Sequence, residues 1–154
     1  MARADSLPIG TWISINATSG EIVINATLPN VGNNQMMVTA IDANGAAFSQ
    51  PLNIIINQAP FINGTIGTLL ASENIPFAFI LPVTTFIDPD EQNLTITCLQ
   101  SNGSALPSWL SFDPISWIFS GTPASSDIGT ITLGLYATDT FGDSSPTLDV
   151  NLVV

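Results

Sequence analysis

The stretch that decides the fold covers residues 106–123 and reads Leu-Pro-Ser-Trp-Leu-Ser-Phe-Asp-Pro-Ile-Ser-Trp-Ile-Phe-Ser-Gly-Thr-Pro. Two short apolar runs, at 109–112 and 117–120, stand on either side of the Asp113-Pro114 turn signal. Short apolar runs joined by such a turn are typical of paired β-strands. This stretch therefore predicts a hairpin-like pair of strands, and the Gly-Thr-Pro at its end stops the second one.

Part of the pattern occurs twice, at an offset of 97 residues and without gaps from Trp12 to Gly45. A period of this size suits one β-sandwich domain per repeat. The sequence therefore predicts a complete domain at 58–154 and the C-terminal half of another at 1–57. The coinciding pairs are Trp12 and Trp109, Gly32 and Gly129, Ala40 and Ala137, Asp42 and Asp139, and Gly45 and Gly142.

The predicted half domain leaves its strands without partners. Residues 58–105 supply the early strands of one sandwich, but 1–57 and 106–154 both hold late strands that need such partners. Late strands alone expose sheet edges and an apolar face. We therefore expect the missing strands to come either from chain preceding Met1 or from another molecule.

Hydrophobic periodicity predicts an almost all-β protein. No window keeps a 3.6-residue period, eleven prolines interrupt the chain, and alternating runs rich in Val, Ile, Thr and Phe dominate. On the last two strands, alternate residues from 131 to 137 and from 148 to 152 are expected to face the core. The predicted strands are 7–15, 21–24, 35–42, a strand ending at 56, 77–81, 94–99, 109–112, 117–120, 131–138 and 148–154, with a loop at 29–34.

The charge balance excludes some partners. One basic residue, Arg3, stands against twelve acids, so the net charge is −11. Nucleic acid is excluded because phosphate binding depends on Lys and Arg. No apolar run approaches the roughly 18 residues of a membrane span, so direct membrane insertion is not expected. Calcium, polycations and neutral carbohydrate remain compatible with this charge.

The second copy carries a series of short motifs that together closely resemble the dystroglycan-type cadherin-like domain. The resemblance covers nearly all of 58–154, whereas 1–57 matches only the later part. It implies an Ig/cadherin-like Greek-key β-sandwich, extracellular or at the cell surface, in a tandem array of adhesion domains. The motifs, in order, are Asn57-Gln58-Ala59-Pro60, Glu73-Asn74-Ile75-Pro76-Phe77, Phe86-Ile87-Asp88-Pro89-Asp90, Leu94-Thr95-Ile96, residues 106–112, Ser120-Gly121-Thr122-Pro123, Gly129-Thr130 and Ala137-Thr138-Asp139.

Asp88 and Asp90 are the candidate metal ligands that the sequence itself indicates. Their spacing lets both carboxylates point to one side of an extended chain, and calcium takes six to eight such oxygens. The resemblance adds Asp139, and Asn57 could add a linker oxygen. The resemblance also expects an acid where this chain has Gln92, whose side-chain carbonyl can ligate the metal but adds no charge. We therefore expect a low-affinity calcium site. The alternative is a turn in which the carboxylates accept backbone N–H groups.

Other acids and aromatic residues have plainer interpretations. Asp42, the equivalent of Asp139, is read as a turn residue, and Glu73 as a solvated side chain. Trp12 and Trp109 are expected to anchor cores, while Trp117 is the candidate for stacking on a sugar. Cys98 is expected to be a small buried hydrophobe.

Five Asn-x-Ser/Thr triplets fit a glycosylated surface protein. They begin at Asn16, Asn25, Asn63, Asn93 and Asn102.

The sequence favours a structural and adhesive module over an enzyme. The chain has neither His nor Lys, so no familiar nucleophile–base pair can form. The expected partners are neighbouring copies or domains of the same protein, and glycans. Two alternatives remain open: a subunit that polymerises into a filament by strand complementation, and a carbohydrate-binding module that uses Trp117.

Overall fold

The computed structural model describes residues 12–154, which divide into two compact units with the boundary between Gln58 and Ala59. The boundary predicted from the sequence falls one residue earlier. Regular structure in the described residues consists of β-strands and two short 3₁₀ turns, without an α-helix. This agrees with the predicted all-β class. No helix of this part of the chain has the length and apolar character that a membrane span requires.

The described part of the first unit, residues 12–58, contains two antiparallel hairpins. Strand β1 (Ile13–Ile15) pairs with β2 (Ile22–Ile24), and β3 (Gly32–Ile41) pairs with β4 (Ala47–Ile56). Residues 7–11 of the predicted first strand lie outside the described residues. The described part of this unit has one buried apolar side chain, that of Ile13.

The loop predicted at 29–34 is wrong in its second half. A 3₁₀ turn covers Leu28–Asn30, but β3 already begins at Gly32. The three residues from Gly32 pair in register with the apolar end of β4, where Ile56 lies opposite Gly32. A long partner strand therefore extends the ladder into a segment whose own composition favours a loop.

The second unit is a β-sandwich of nine strands within the described residues. Its sheets have the strand orders β10-β11-β7, β6-β13-β12-β9 and β5-β8, and all pairs are antiparallel except β6 with β13. The strands are β5 (Phe61–Ile62), β6 (Leu69–Leu70), β7 (Phe77–Ile80), β8 (Phe86–Ile87), β9 (Thr95–Gln100), β10 (Leu110–Asp113), β11 (Ile118–Gly121), β12 (Thr130–Thr138) and β13 (Leu148–Val153).

The core of the second unit follows the predicted alternation. Leu133, Leu135 and Ala137 of β12 are buried, as are Val150 and Leu152 of β13. The flanking Ile131 and Leu148 are partly buried and pack against the same cluster. The inward faces predicted for the last two strands are therefore confirmed.

The opposite sheet contributes aromatic residues to this core. Phe119 of β11 is 1% exposed, and its ring centroid lies 4.6 Å from that of Phe112 on β10. Trp109 is partly buried and packs against the cluster. The predicted pair of strands in 106–123 is confirmed, because β10 and β11 pair from Leu110 opposite Gly121 to Asp113 opposite Ile118.

Candidate functional site

The acidic turn between β8 and β9 is built around Asp88. Its Oδ1 accepts hydrogen bonds from the backbone N–H groups of Asp90 and Gln92, each at 3.1 Å. The N–H of Glu91 donates to the Asp88 carbonyl oxygen at 3.3 Å, and Glu91 has a φ of 61°. The interpretation of this segment as extended chain is therefore wrong, because these bonds close it into a turn. The turn itself brings the Asp88 and Asp90 side chains together.

Each of these two acids has one buried carboxylate oxygen without a hydrogen-bond partner. The atoms are Asp88 Oδ2 and Asp90 Oδ1, and Asp88 is only 6% exposed. Burial raises the pKa of Asp88, and the adjacent Asp90 side chain raises it further, against the lowering effect of the two N–H donors. Because a buried carboxylate oxygen without a hydrogen-bond partner is unfavourable, a cation beside Asp88 Oδ2 and Asp90 Oδ1 would stabilise the pair.

Gln92 links this turn to the hairpin between β12 and β13. Its Nε2 donates to Asp90 Oδ2 at 2.9 Å. Its Oε1 accepts the backbone N–H of Thr140 at 3.1 Å and also the Thr140 hydroxyl. In this arrangement the side-chain oxygen of Gln92 is directed to Thr140, so ligation of a metal by Gln92 stays a prediction. Thr140 could not be predicted from the sequence, because no motif indicates a contact between two loops 48 residues apart.

Asp139, next to Thr140, shapes its own turn as Asp88 does. Its Oδ1 accepts the backbone N–H groups of Phe141 and Asp143, both at 2.9 Å, and the residue is 7% exposed. Within residues 12–154, no three or more His, Cys, Asp or Glu side chains form a group able to hold a metal. The convergence of Asp88, Asp90 and Asp139 on one ion therefore stays a prediction.

Asn57, Asp42 and Glu73 are the other polar residues that the sequence singled out. Asn57 belongs to the first unit, where Gln58 Oε1 is buried without a hydrogen-bond partner. Asp42 Oδ1 accepts the N–H groups of Asn44 and Ala46, at 2.8 and 2.9 Å, which agrees with its prediction as a turn residue. Glu73 is exposed, as expected of a solvated side chain.

Trp109, Trp117 and Cys98 pack against the core of the second unit. Trp117 has a φ of 58° and packs, partly buried, against the core of the second unit. Trp12, in the first unit, is half-buried. Cys98 packs against the core as expected, and burial raises its pKa to about 12. A thiol with such a pKa is not a nucleophile near neutral pH.

All five Asn-x-Ser/Thr asparagines are exposed and lie outside the strands. Several immediately adjoin a strand end: Asn16 follows β1, Asn25 follows β2 and Asn63 follows β5. Glycan attachment needs such accessible loop positions. The geometry is compatible with modification at Asn16, Asn25, Asn63, Asn93 and Asn102, which stays a prediction.

The donor chemistry of the acidic turn fits a small hard cation. Ca²⁺ prefers carboxylate and carbonyl oxygens, and Asp88 and Asp90 offer two charged oxygens that nothing else in the turn satisfies. Two carboxylates are few for a tight site, so the arrangement suits weak binding. The same turn has no nucleophile–base pair, since both acids crowd one turn rather than face each other across a cleft.

The second unit has a known family. Residues 59–154 match the family described as "putative Ig domain", which covers more than half of the chain. The chain therefore belongs to this family of Ig-like domains. No curated protein matches the chain.

Several solved structures are similar to the chain. The human desmocollin-1 ectodomain is 19% identical, with 97% of this chain and 32% of that chain covered at a TM-score of 0.49. Drosophila N-cadherin EC1-3 is 17% identical, with coverage of 99% and 52% and a TM-score of 0.49. An endo-fucoidan hydrolase of glycoside hydrolase family 107 is 18% identical, with coverage of 100% and 28% and a TM-score of 0.49.

These matches assign neither an activity nor a partner to the chain. The chain spans only 18% of the length of the first matching structures, two galactosidase-type proteins from Bacteroides fragilis. It spans about half of the N-cadherin fragment. The function of any larger protein that contains this fold therefore has to be proposed on other grounds.

Proposed function

We propose that the chain is a structural and adhesive module of an extracellular surface protein built from tandem cadherin-like domains, with weak calcium binding at its acidic turn. The observation that carries the proposal is the pair of buried carboxylate oxygens without partners, Asp88 Oδ2 and Asp90 Oδ1. Bound calcium would neutralise the two carboxylates and hold the turn between β8 and β9 rigid. Membership in an Ig-like family and five exposed glycosylation triplets support the extracellular setting.

The proposal includes no catalytic role. The Asp88 and Asp90 side chains share one turn, in which the N–H of Asp90 donates to Asp88 Oδ1. Cys98, with its pKa raised to about 12, supplies no thiolate. A domain whose buried carboxylates need a cation for rigidity contributes a fixed shape rather than a reaction. A fixed shape suits a role in adhesion.

Calcium binding by the full chain, measured by isothermal titration calorimetry, tests the proposal. We expect a dissociation constant on the order of 10⁻⁴–10⁻³ M, as in extracellular modules. Asp88→Asn and Asp90→Asn should each weaken binding at least several-fold. The matched control is Asp113→Asn, because Asp113 also caps a turn, through the N–H of Ile115, but is fully exposed. Absence of binding, or equal loss in the control, would contradict the calcium proposal.

A strand-complemented filament is a second candidate function, because one edge of β3 has no partner strand in the described residues. Head-to-tail assembly would make the sedimentation coefficient of the full chain rise with concentration, whereas a monomeric module predicts a constant value. No observation favours the carbohydrate-binding alternative, since Trp117 packs against the core.

A further inference from the structure

The outer edge of β3 is a long unpaired backbone edge in the described part of the first unit. Strand β3 pairs with β4 along its whole length, from Gly32 opposite Ile56 to Ile41 opposite Ala47. Among residues 12–154, no strand pairs with its other edge. An isolated two-stranded sheet is marginal in water, and an open edge is a ready template for another strand.

The hydrogen-bond pattern of the β3–β4 hairpin determines which residues face this open edge. The N–H of Asp42 donates to the carbonyl oxygen of Ala46 at 2.9 Å, which closes the hairpin. In an antiparallel pair, alternate residues direct both backbone groups to the same neighbour. Even-numbered residues such as Val38 therefore bond to β4, whereas Met37 and Thr39 direct their N–H and C=O groups to the open edge.

The second unit contains an equivalent hairpin whose edge is filled. Strands β12 and β13 form it, and its closing bond runs from the N–H of Asp139 to the carbonyl oxygen of Asp143, also at 2.9 Å. The other edge of β12 carries β9, which places Cys98 opposite Leu135 and Ile96 opposite Ala137. The second unit therefore shows which type of strand, that of β9, pairs with the outer edge of such a hairpin.

The 97-residue offset in the sequence relates β3 to β12, so the pairing of β9 with β12 predicts how a strand would pair with β3. An offset of 97 residues relates Val38 to Leu135 and Ala40 to Ala137. Leu135 is 1% exposed, whereas Val38 is 36% exposed and Phe48, opposite Ala40, is 65% exposed. The part of this face around Val38, Ala40 and Phe48 is thus exposed in the first unit, whereas its equivalent in the second unit is buried.

The chemistry of the edge indicates an uncharged occupant. Neither β3 nor β4 contains a charged residue, although the chain carries twelve acids. Charged side chains commonly protect sheet edges from pairing, and this edge has none. A strand of the β9 type, Thr-Ile-Thr-Cys-Leu-Gln, is likewise uncharged and alternates apolar with polar residues.

We propose that the open edge of β3 docks an extended, uncharged segment of another polypeptide, antiparallel and in the register that β9 adopts on β12. Its apolar residues would lie beside Val38 and Ala40, and its backbone would bond to Met37 and Thr39. The proposal uses the same open edge as the strand-complementation candidate but assigns it a different occupant, a polypeptide other than a second copy of this chain. The donor is not β9 of a second folded copy, because that strand is already paired and Ile96 is 2% exposed.

Hydrogen–deuterium exchange on the full chain tests this docking site. The probe is a synthetic peptide with the sequence of residues 93–101 carrying Cys98→Ser. Without peptide, the amides of Met37 and Thr39 should exchange rapidly. With saturating peptide they should slow by about tenfold or more, because they enter a ladder. The Val38 amide is the internal control, since it is bonded to β4 in both states.

Two N-methylated peptides distinguish backbone pairing with β3 from non-specific apolar association. In β9, the N–H of Ser101 donates to the Thr132 carbonyl oxygen at 2.9 Å, so the amides of Thr97 and Leu99 face β12. Methylation at positions 97 and 99 should abolish protection of β3. Methylation at positions 96 and 98 should leave it intact.

Three outcomes would overturn the docking site. They are no protection by the unmodified peptide, equal behaviour of the two methylated peptides, and protection of Met37 and Thr39 that rises with protein concentration alone. The last outcome would make a second copy the occupant. A constant sedimentation coefficient together with peptide protection would instead remove the filament and leave the docking site standing.

Discussion

Gly121 lies so close to Trp109 that a Cβ on Gly121 would stand 1.9 Å from the Trp109 carbonyl oxygen. Gly121 ends β11 opposite Leu110, the residue that follows Trp109. The sequence marks this glycine only as the end of an apolar run. The structure shows that the close approach of two backbones requires it.

Gly121→Ala should lower the free energy of unfolding by about 1–3 kcal/mol, because the backbone has to move to admit the methyl group. Gly67→Ala is the matched control. A Cβ at Gly67 meets nothing within 4 Å, and its φ is not in the left-handed region. Urea unfolding of both variants measures the difference, and equal stability of the two would contradict the close approach.

Much of the second unit could be predicted because its signals are local. The alternation of Leu133 and Leu135, and the Asp113-Pro114 turn, need no knowledge of distant residues to indicate strands and a hairpin. The buried or packed positions of the last two strands follow from a period of two. The family resemblance at 58–154 likewise rests on short motifs that are local in the sequence, and the family match covers 59–154.

What the sequence did not predict depends on tertiary pairing. Strands β5, β6 and β8 have two residues each, too few to show a period, and they exist because partner strands pair with them. The bond between Gln92 and Thr140 joins two loops that are remote in sequence. The left-handed backbone of Trp117 likewise depends on packing, since propensity disfavours a bulky residue there.

The two units should differ in their ability to fold alone. Residues 59–154 enclose a cluster of buried apolar side chains that includes Leu81, Phe119 and Leu133, whereas the described part of the first unit buries Ile13 alone. We expect a cooperative thermal transition for a 59–154 fragment and none for a 1–58 fragment. Circular dichroism checks both. A sharp monomeric transition of the shorter fragment would contradict the proposed need for an added strand.

The buried Asp88 should make metal-free stability depend on pH. Burial and Asp90 raise the pKa of Asp88 above its value in the unfolded chain, so the folded state binds more protons over that interval. Stability from this group is therefore present at low pH and lost as pH rises through the folded-state pKa. In a chelator, the melting temperature should fall more for the parent than for Asp88→Asn as the pH rises from 3.8, the ordinary pKa of Asp, to neutral.

The comparison with Asp88→Asn isolates this effect. Lower pH also relieves the general repulsion of a chain with a net charge of −11, but that contribution is nearly the same in the variant. The amide oxygen can still accept the N–H groups of Asp90 and Gln92, so the turn is retained. Parallel pH curves for the two proteins would show that Asp88 is not the titrating group.

The melting temperature of the parent and of Asp88→Asn, each in chelator and in millimolar calcium at neutral pH, tests the central claim most directly. In chelator the variant should be the more stable, because it removes the charge of a buried carboxylate whose Oδ2 has no hydrogen-bond partner. Calcium should stabilise the parent by about 1–2 kcal/mol and leave the variant nearly unchanged. The difference in melting temperature between the two proteins should therefore narrow or change sign. A parent that does not respond to calcium, or a variant that responds equally, would contradict a calcium site at the acidic turn.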